Sequence, residues 1–439
     1  MRTFSRPTRR TNVMGRAPAR PAVVLMALWF GAALQSLSSG CATRPSATSA
    51  LTPPRTAAVE AGDPAIVCDP GSHDVLLSWL AGDSTGYRIW FARSADQGAT
   101  WSTPAAVTPE GEPLRLQPES SPRMVCTERG RIGIAWSTSV ELAGGRPPAS
   151  DLRFASSADG GRSWTRPVPI NDDTASGPGS HMFHALAIGP KDVLYAAWLD
   201  SRPGGDSLVS DEAEGHAASI HLARSDDFGA RWGRNVAQWS RVCPCCRASL
   251  VIDPTGTAYT AFRKRFSGQI RDVVLARPGY APIRTHEDSW ETADCPNSGP
   301  PLVRSHDGTL RMAWFTGAKG RAGVYFRQDL PDGMDSTHTP VAVLTSEKPS
   351  AVHVDLGEAG MSGTLVAMDA DSTGASQLTL ARVESSGRRV AERFVVPGTL
   401  GASHPKVATT LAGRHAYVVW TTRVGDHSEL RMLRWDAGR

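Results

Sequence analysis

The chain has 439 residues, and its 42 glycines and 32 prolines make it rich in turns, while 40% apolar residues are enough to bury a large core. This composition favours a single large all-β repeat domain. The formal net charge of +4 at pH 7 comes from arginines that precede the first apolar segment, so the rest of the chain is near neutral. We therefore expect no nucleic-acid partner.

The first predicted element is an apolar segment, residues 22–34, that follows a basic start. Its length of about 13 residues is too short to span a bilayer but suits the core of a signal peptide. Residues 37–41 resemble a bacterial lipobox, so we predict a signal peptide over residues 1–41, starting at Met1 or Met14, and lipidation of Cys41. We expect an exported outer-membrane lipoprotein, with a periplasmic or secreted protein as the alternative. Residues 42–55, rich in Pro, Ser and Thr, are predicted to form a disordered tether.

Three copies of the pattern S-x-D-x-G-x-x-W follow, at residues 94–101, 157–164 and 225–232. They lie about 65 residues apart, as in an internal repeat. The pattern is that of a tight turn, called an Asp box, in which the Asp carboxylate accepts backbone N–H bonds, the Gly tolerates a positive φ and the Trp packs over the hairpin. We therefore expect Asp96, Asp159 and Asp227 to stabilise turns and not to act in catalysis.

A second pattern recurs more often than the Asp box: an apolar strand that ends near a large side chain, followed by another strand. The anchors of the seven strand pairs are Trp79, Trp136, Trp198, Phe262, Trp314, Met368 and Trp420. An inner strand precedes the anchor strand, as at residues 65–68, 123–126 and 249–252. The last repeat lacks a fourth strand, which residues 56–60 could supply. This pattern predicts a β-propeller over residues 56–439, with seven blades or alternatively six, whose last blade is closed by the N-terminal segment.

Asp boxes on a predicted propeller resemble the sialidase superfamily, also called BNR-repeat proteins. Three segments look like an exported bacterial subgroup of it: Asp200-Ser201-Arg202-Pro203, Cys-Pro-Cys-Cys-Arg at 243–247 and Cys-Pro-Asn-Ser-Gly-Pro at 295–300. The resemblance implies a β-propeller, and the family's members include sialidases, other glycoside hydrolases and proteins that only bind ligands. Sialidases use a Tyr nucleophile, an Asp acid/base and three arginines that bind the substrate carboxylate.

The functional residues of that family are only partly matched. None of the six tyrosines lies in residues 350–356 or 404–410, the late inner strands where the resemblance places the nucleophile. Arg123, Arg247 and Arg263 are candidates for binding a ligand carboxylate at the mouth of the propeller. Asp200 is a further ligand-binding candidate, and Asp200 or Glu119 could replace the missing catalytic residues. The catalytic residues therefore stay unassigned.

Cysteine and histidine residues fall at matching positions when the repeats are aligned on their anchors. Cys243 and Cys295 share one position of adjacent repeats, and the other candidates fall close to it. Thiolates and imidazoles are preferred ligands of Cu(I) and Zn, so the alignment predicts a metal site at one rim of the central channel. Its candidate ligands are His181, His184, Cys243, Cys245, Cys246, Cys295 and His404.

Disulfides are the alternative for the same cysteines. Six cysteines remain after Cys41, an even number in an exported protein. The pairs predicted from matching positions are Cys68 with Cys126 and Cys243 with Cys295. Cys245 and Cys246 are then left as chain neighbours. Three possibilities stay open: disulfides alone, a metal site, or a redox-active thiol pair.

Our first hypothesis for the function is a binding module facing the cell surface or the periplasm, with a glycan, another small ligand or a metal ion held in the propeller funnel. The second is a sialidase-like glycoside hydrolase, and the third is a metal or redox protein that uses the cysteines and histidines. Cu or Zn is the only cofactor that the sequence suggests. We expect a monomer that contacts the membrane through its lipid anchor.

Overall fold

The computed structural model describes residues 47–142, 148–173, 179–202, 218–329, 339–345, 352–410 and 413–437. By its internal contacts the chain divides into two units, Met1–Ala42 and Thr43–Arg439, and every described residue belongs to the second. The predicted signal peptide and Cys41 lie outside the described residues. Regular structure in the described part consists of β-strands and short 3₁₀ turns. No helix there is long and apolar enough to cross a membrane.

The described strands are numbered β1 to β28 in chain order. The first half comprises β1 (Ala47–Leu51), β2 (Glu60–Cys68), β3 (Val75–Asp83), β4 (Gly86–Ser94), β5 (Ala105–Ala106), β6 (Arg123–Cys126), β7 (Ile132–Ser137), β8 (Leu152–Ser157), β9 (Val168–Pro169), β10 (His181–Ile188), β11 (Leu194–Asp200), β12 (Ala218–Ser225), β13 (Val236–Val242) and β14 (Ser249–Ile252). The second half comprises β15 (Ala258–Arg265), β16 (Arg271–Ala276), β17 (Ile283–Arg284), β18 (Leu302–Arg304), β19 (Leu310–Thr316), β20 (Gly323–Asp329), β21 (Val341–Thr345), β22 (Val354–Glu358), β23 (Thr364–Met368), β24 (Thr379–Val383), β25 (Val390–Val395), β26 (Ala402–Thr409), β27 (His415–Val424) and β28 (His427–Asp436).

These strands form antiparallel sheets in which neighbours along the chain pair. Four-stranded sheets are formed by β2–β5, β6–β9, β18–β21, β22–β25, and β26–β28 with β1. The remaining sheet has eight strands in two sets, β10–β13 and β14–β17, joined by the pairing of Val242 with Lys264. The first strand of each set is the inner strand of the sequence pattern, and every predicted anchor lies in the second. The chain is therefore all-β, as expected.

An N-terminal strand completes the last sheet, but it is not the predicted segment. β1 pairs with β28 from Ala47 opposite Asp436 to Leu51 opposite Met432, whereas the sequence suggested residues 56–60. The predicted tether is therefore wrong from residue 47 onward, and Pro53 and Pro54 are buried. The sequence gives no sign of β1, because nearly all of this strand is exposed and an exposed strand carries no apolar pattern.

Apolar clusters fill the spaces between successive sheets. Between the first two, Leu76 and Phe91 pack with Ile134 and Trp136, and equivalent clusters follow along the chain. A further cluster joins the last sheet to the first, with residues of β27 and β28 against those of β2 and β3. Sheets that pack in chain order and return to the first one form the arrangement typical of a β-propeller.

The three Asp boxes form closely similar turns. In each box the Asp carboxylate accepts a hydrogen bond from the Ser hydroxyl two residues before it and from the N–H four residues after it. Gly98, Gly161 and Gly229 have φ values of 89°, 91° and 83°, which favour glycine. The carboxylates of Asp96, Asp159 and Asp227 are thus occupied within their own turns.

The tryptophans of the second and third boxes pack on the preceding sheet, whereas the sequence suggested that they cover their own hairpins. Trp164 lies edge-on to Phe91 with ring centroids 5.4 Å apart, and Trp232 lies against Phe154 at 5.6 Å. A Cβ on the glycine of either box would stand 2.0 Å from the same phenylalanine ring. The boxes therefore link neighbouring sheets, and this close approach requires glycine as much as the positive φ does.

Candidate functional site

Charged side chains meet where several inner strands begin. The backbone bulges there, with register shifts between Gly62 and Ala65 in β2 and between Ser403 and Lys406 in β26. A bulge redirects side chains, and here it turns polar groups inward. We call the resulting group the central polar cluster. It comprises Asp63, Glu119, Arg123, Arg247, His353, Asp355, Asp369, His404 and Lys406.

A buried ion pair between Glu119 and Arg247 organises the cluster. Their Oε1 and Nη1 atoms are 2.8 Å apart, and Oε2 of Glu119 also accepts the N–H of Gly299 at 3.0 Å. Arg247 donates from Nη2 to the carbonyl of Val354 at 2.6 Å. Burial acts to raise the pKa of Glu119, but the charge of Arg247 and of the other nearby cations outweighs it and holds the pKa at about 2. The carboxylate is therefore ionised at neutral pH.

Two cationic side chains in the cluster each have a buried nitrogen atom without a hydrogen bond to any described residue. Nζ of Lys406 is buried with no hydrogen bond, in a residue that is 4% exposed. Arg123 donates from Nε to the carbonyl of His184 at 3.2 Å, but its Nη2 is buried and unbonded. Buried polar groups are nearly always hydrogen-bonded, and an unpaired buried charge costs several kcal/mol. Nζ of Lys406 and Nη2 of Arg123 are therefore each left with the capacity to donate to a further acceptor.

Asp63 and Lys406 both have pKa values close to neutrality. Burial raises the pKa of Asp63 to about 7, against the opposing effects of the Gln117 N–H and the Lys406 charge. Burial, together with the charges of Arg247 and Arg123, lowers the pKa of Lys406 to about 7. Proton uptake near pH 7 therefore makes the cluster more positive.

His353 and His404 stack face to face, with ring centroids 3.5 Å apart. Nδ1 of His353 lies 2.5 Å from Asp369, which outweighs burial and raises the pKa of His353. Burial and the neighbouring His353 lower the pKa of His404 to about 3. The side chains of His353 and Asp355 are 15% and 21% exposed, so solvent reaches the cluster at these residues.

The predicted ligand-binding residues are divided between the cluster and other places. Arg123 and Arg247 come together, but Arg263 donates to three backbone carbonyls and fixes the backbone of its own and the next sheet. Asp200 accepts bonds from the indole of Trp198 at 2.8 Å and from the guanidinium of Arg202 at 2.7 and 2.9 Å. Neither Arg263 nor Asp200 belongs to the cluster.

The histidines of the predicted metal site do not face the cysteines. His181 lies between the Ser150 carbonyl at 2.5 Å and Asp173 at 3.1 Å, and His184 contacts the Ala135 carbonyl at 3.1 Å. His404 belongs to the central polar cluster. The predicted ring of cysteine and histidine ligands is therefore wrong in its histidines, because the bulges in β10 and β26 redirect side chains that an alignment places together.

Three of the predicted cysteines do come together, in the segment between β13 and β14. Sγ of Cys243 lies 3.7 Å from that of Cys245 and 3.6 Å from that of Cys246, and all three residues are buried. We call this group the cysteine cluster. Cys295 is exposed and is not one of its members.

Neither predicted disulfide is present among the described cysteines, all six of which are free thiols. The thiol of Cys126 donates to the carbonyl of Thr127 at 3.4 Å, and Cys68 is unpaired. The thiol of Cys243 lies near those of Cys245 and Cys246, whereas Cys295 is exposed. Matching positions in adjacent repeats therefore do not bring these sulfur atoms within bonding distance.

Sequence reasoning overlooked Asp63, His353, Asp355, Asp369 and Lys406. A signal was available for two of them, because His353 and Asp355 stand at the start of an inner strand, as Arg123 does. Asp63 and Lys406 lie inside β2 and β26, and Asp369 follows β23.

No protein-family model matches the sequence, and no curated protein matches it. Solved structures do match. An α-L-arabinanase of Penicillium chrysogenum, complexed with arabinobiose, has a TM-score of 0.52 and 14% identity over 90% of this chain and 98% of that one. The GH93 α-L-arabinofuranosidase of Fusarium graminearum, also with arabinobiose, has a TM-score of 0.52 and 11% identity over 88% and 96%. A Trypanosoma rangeli sialidase complexed with sialic acid has a TM-score of 0.49 and 11% identity over 88% and 58%. The arabinanase and the arabinofuranosidase are β-propellers, and the likeness to these two shows the fold.

Proposed function

We propose that the protein is a ligand-binding β-propeller whose central polar cluster binds the carboxylate of an acidic sugar or of a similar small anion. One observation carries the proposal: the cationic groups of Lys406 and Arg123 are buried without partners for Nζ and Nη2. Two ion pairs are internal to the cluster, Arg247 with Glu119 and His353 with Asp369. Among the charges that remain, Arg123 and Lys406 outnumber Asp355 as long as Asp63 is protonated, and the cluster is then positive. Charge-assisted hydrogen bonds to a carboxylate would satisfy both orphaned donors.

We propose sugar acids as the ligand class because they carry several hydroxyl groups beside the carboxylate, and the cluster is assembled from several sheets whose polar groups could contact both. The cluster draws its residues from segments that lead into the inner strands β2, β6, β14, β22 and β26. A small anion with several hydroxyl groups could contact these segments at once. Acceptors such as Asp355 would then bind the hydroxyl groups, while the cations bind the carboxylate.

Isothermal titration of the full chain tests the proposal, with sialic acid and galacturonic acid as acidic probes and arabinobiose as the neutral one. We expect the acidic sugars to bind and arabinobiose not to bind. Lys406→Met should weaken acidic-sugar binding by about 10–100-fold, the effect of losing one charge-assisted hydrogen bond. Lys264→Met is the matched control, since Lys264 donates to the Ser240 carbonyl outside the cluster. Equal binding by both variants would contradict the proposal.

Affinity for the anion should also depend on pH. Lys406 carries its charge below its pKa of about 7, and Asp63 gains a negative charge above its pKa of about 7. Both changes disfavour an anion, so affinity should fall as the pH rises through 7. Titrations between about pH 6 and pH 8 would measure the trend, which the double variant Asp63→Asn with Lys406→Met should largely abolish. An affinity that rises with pH would contradict these roles.

Glycoside hydrolysis is a second candidate, favoured by one specific contact. The hydroxyl of Tyr87 donates to the carboxylate of Glu60 in a short hydrogen bond. Burial, this bond and the charges of Glu60 and Asp63 raise the pKa of Tyr87 to about 12. Glu60 could accept the Tyr87 proton as a base and Asp63, with a pKa of about 7, could donate one, so the three residues have the groups of a nucleophile, base and acid. A fluorogenic sialoside would test this candidate: Tyr87→Phe should abolish hydrolysis and leave anion binding unchanged.

We also propose that the propeller has seven blades. The 28 described strands divide into seven sets of four when the eight-stranded sheet is separated at Val242 and Lys264. Seven apolar clusters, one between each pair of neighbouring sets, support this division.

We also propose that the protein is exported, is anchored by a lipid at Cys41 and is a monomer. Labelling with a fatty-acid analogue, compared between the wild type and Cys41→Ser, would test the anchor.

A further inference from the structure

The cysteine cluster shares no residue with the central polar cluster, although Cys246 directly precedes Arg247, and it has the spacing of a metal–thiolate site. The distances from Sγ of Cys243 are 3.7 and 3.6 Å, and all three sulfur atoms lie within 4.8 Å of one another. Three thiolates bound to one ion at about 2.3 Å in tetrahedral geometry stand about 3.8 Å apart. The sulfur atoms are therefore already close to the positions that such an ion requires.

A structural disulfide accounts poorly for this arrangement. Sulfur atoms in a disulfide are about 2.05 Å apart, and three thiols cannot all pair with one another. Cys245 and Cys246 are adjacent in the chain, and Pro244 restricts the backbone between Cys243 and Cys245. The cluster is buried, with exposures of 0% for Cys243, 8% for Cys245 and 0% for Cys246, so thiols from solution have little access to it.

The surroundings of the cluster suit a negatively charged metal–thiolate group. Nη1 of Arg271 lies 3.6 Å from Sγ of Cys243, and its Nη2 is held by the carbonyl of Ala293 at 3.1 Å. Phe183 packs against the three cysteine residues. N–H donors and apolar side chains are common around bound metal ions, where such contacts orient the ligands and offset the thiolate charge.

From this geometry we propose that Cys243, Cys245 and Cys246 bind one thiolate-preferring metal ion, Zn(II) or Cu(I). Thiolates select these ions over magnesium, calcium and manganese. The protein supplies three sulfur ligands, and a fourth position on the ion would be left for a small additional ligand. Arg271 acts as a positioning residue through its contact with Cys243.

Metal loading of the reduced full chain tests the proposal, with Zn(II) in one arm and Cu(I) under anaerobic conditions in the other. After removal of excess ion, elemental analysis should find about one equivalent of at least one of the two metals. X-ray absorption at the metal edge should show sulfur neighbours at about 2.3 Å. The arm that retains metal against a chelator identifies the ion.

Substitutions separate this site from other thiols. Cys246→Ser and Cys245→Ala should each weaken metal binding at least about 100-fold, and Arg271→Ala about 10-fold. Cys68→Ser is the matched control and should bind as the wild type does. Thermal melting of each apo variant shows whether it folds. If Cys246→Ser does not fold, metal binding by a folded Cys245→Ala variant is enough to test the site. No retained metal in either arm, metal retained equally by the cluster variants, or only nitrogen and oxygen neighbours would overturn the proposal.

Discussion

Replacing Glu119 by alanine is expected to lower the free energy of unfolding by about 3–5 kcal/mol. The change leaves the guanidinium of Arg247 buried without its partner, in a residue that is 2% exposed and surrounded by Arg123 and Lys406. It also removes the acceptor of the Gly299 N–H. Equilibrium unfolding in urea, compared between the wild type and Glu119→Ala, would measure the loss.

The double variant Glu119→Ala with Arg247→Met serves as the control, because it removes both charges together. It should recover much of the stability that the single variant loses, since replacing a buried ion pair by apolar side chains is often neutral.

The folded pKa of Glu119 lies below its value of 4.5 in the unfolded chain, so the carboxylate stabilises the fold above pH 4.5 and loses this effect as the pH falls towards 2. A single-variant loss below about 1 kcal/mol would mean that water screens the pair.

Replacing Gly161 by alanine should be the most damaging single change in an Asp box, at about 2–4 kcal/mol of unfolding free energy. The added Cβ would stand 2.0 Å from the ring of Phe91, and φ is 91° at this position. Gly229→Ala should behave alike, because its Cβ would meet Phe154 at 2.0 Å. Urea or thermal unfolding of each variant would measure the effect.

Gly111→Ala separates the two causes of that loss. Gly111 has a φ of 78°, but nothing lies within 4 Å of a Cβ built on it, so the variant should cost only about 1 kcal/mol. A difference between Gly161→Ala and Gly111→Ala therefore measures the packing of the box on the preceding sheet. Equal losses in the two variants would mean that the box serves its own turn alone.

Much of the fold could be predicted from the sequence because its signal is local and repeated. Apolar strands that end near Trp79, Trp136 and their equivalents mark the second strand of every four-stranded set, and the Asp boxes mark the turns after β4, β8 and β12. β1 could not be found in this way, since its exposed side chains carry no pattern. Its role depends on a partner strand nearly the whole chain away.

The candidate site was only partly predictable, because it depends on where side chains point. The sequence selected Arg123, Arg247 and Arg263 alike as candidates for binding a carboxylate. The first two do lie in the cluster, whereas Arg263 donates to backbone carbonyls. A bulge of one or two residues decides whether a histidine faces the channel, as with His404, or a neighbouring sheet, as with His181. Sequence spacing alone does not encode such bulges.

The pairing of β1 with β28 has a consequence for the order of folding. The first strand finds its partner, Met432 to Asp436, only after the rest of the chain has been made, so closure of the ring must be a late event. Until then the apolar faces of β2 and β3 that later pack on β27 and β28 stay uncovered. Pairings between distant segments form slowly, and unpaired edges aggregate. The incomplete ring is therefore the state from which this protein is expected to aggregate most readily.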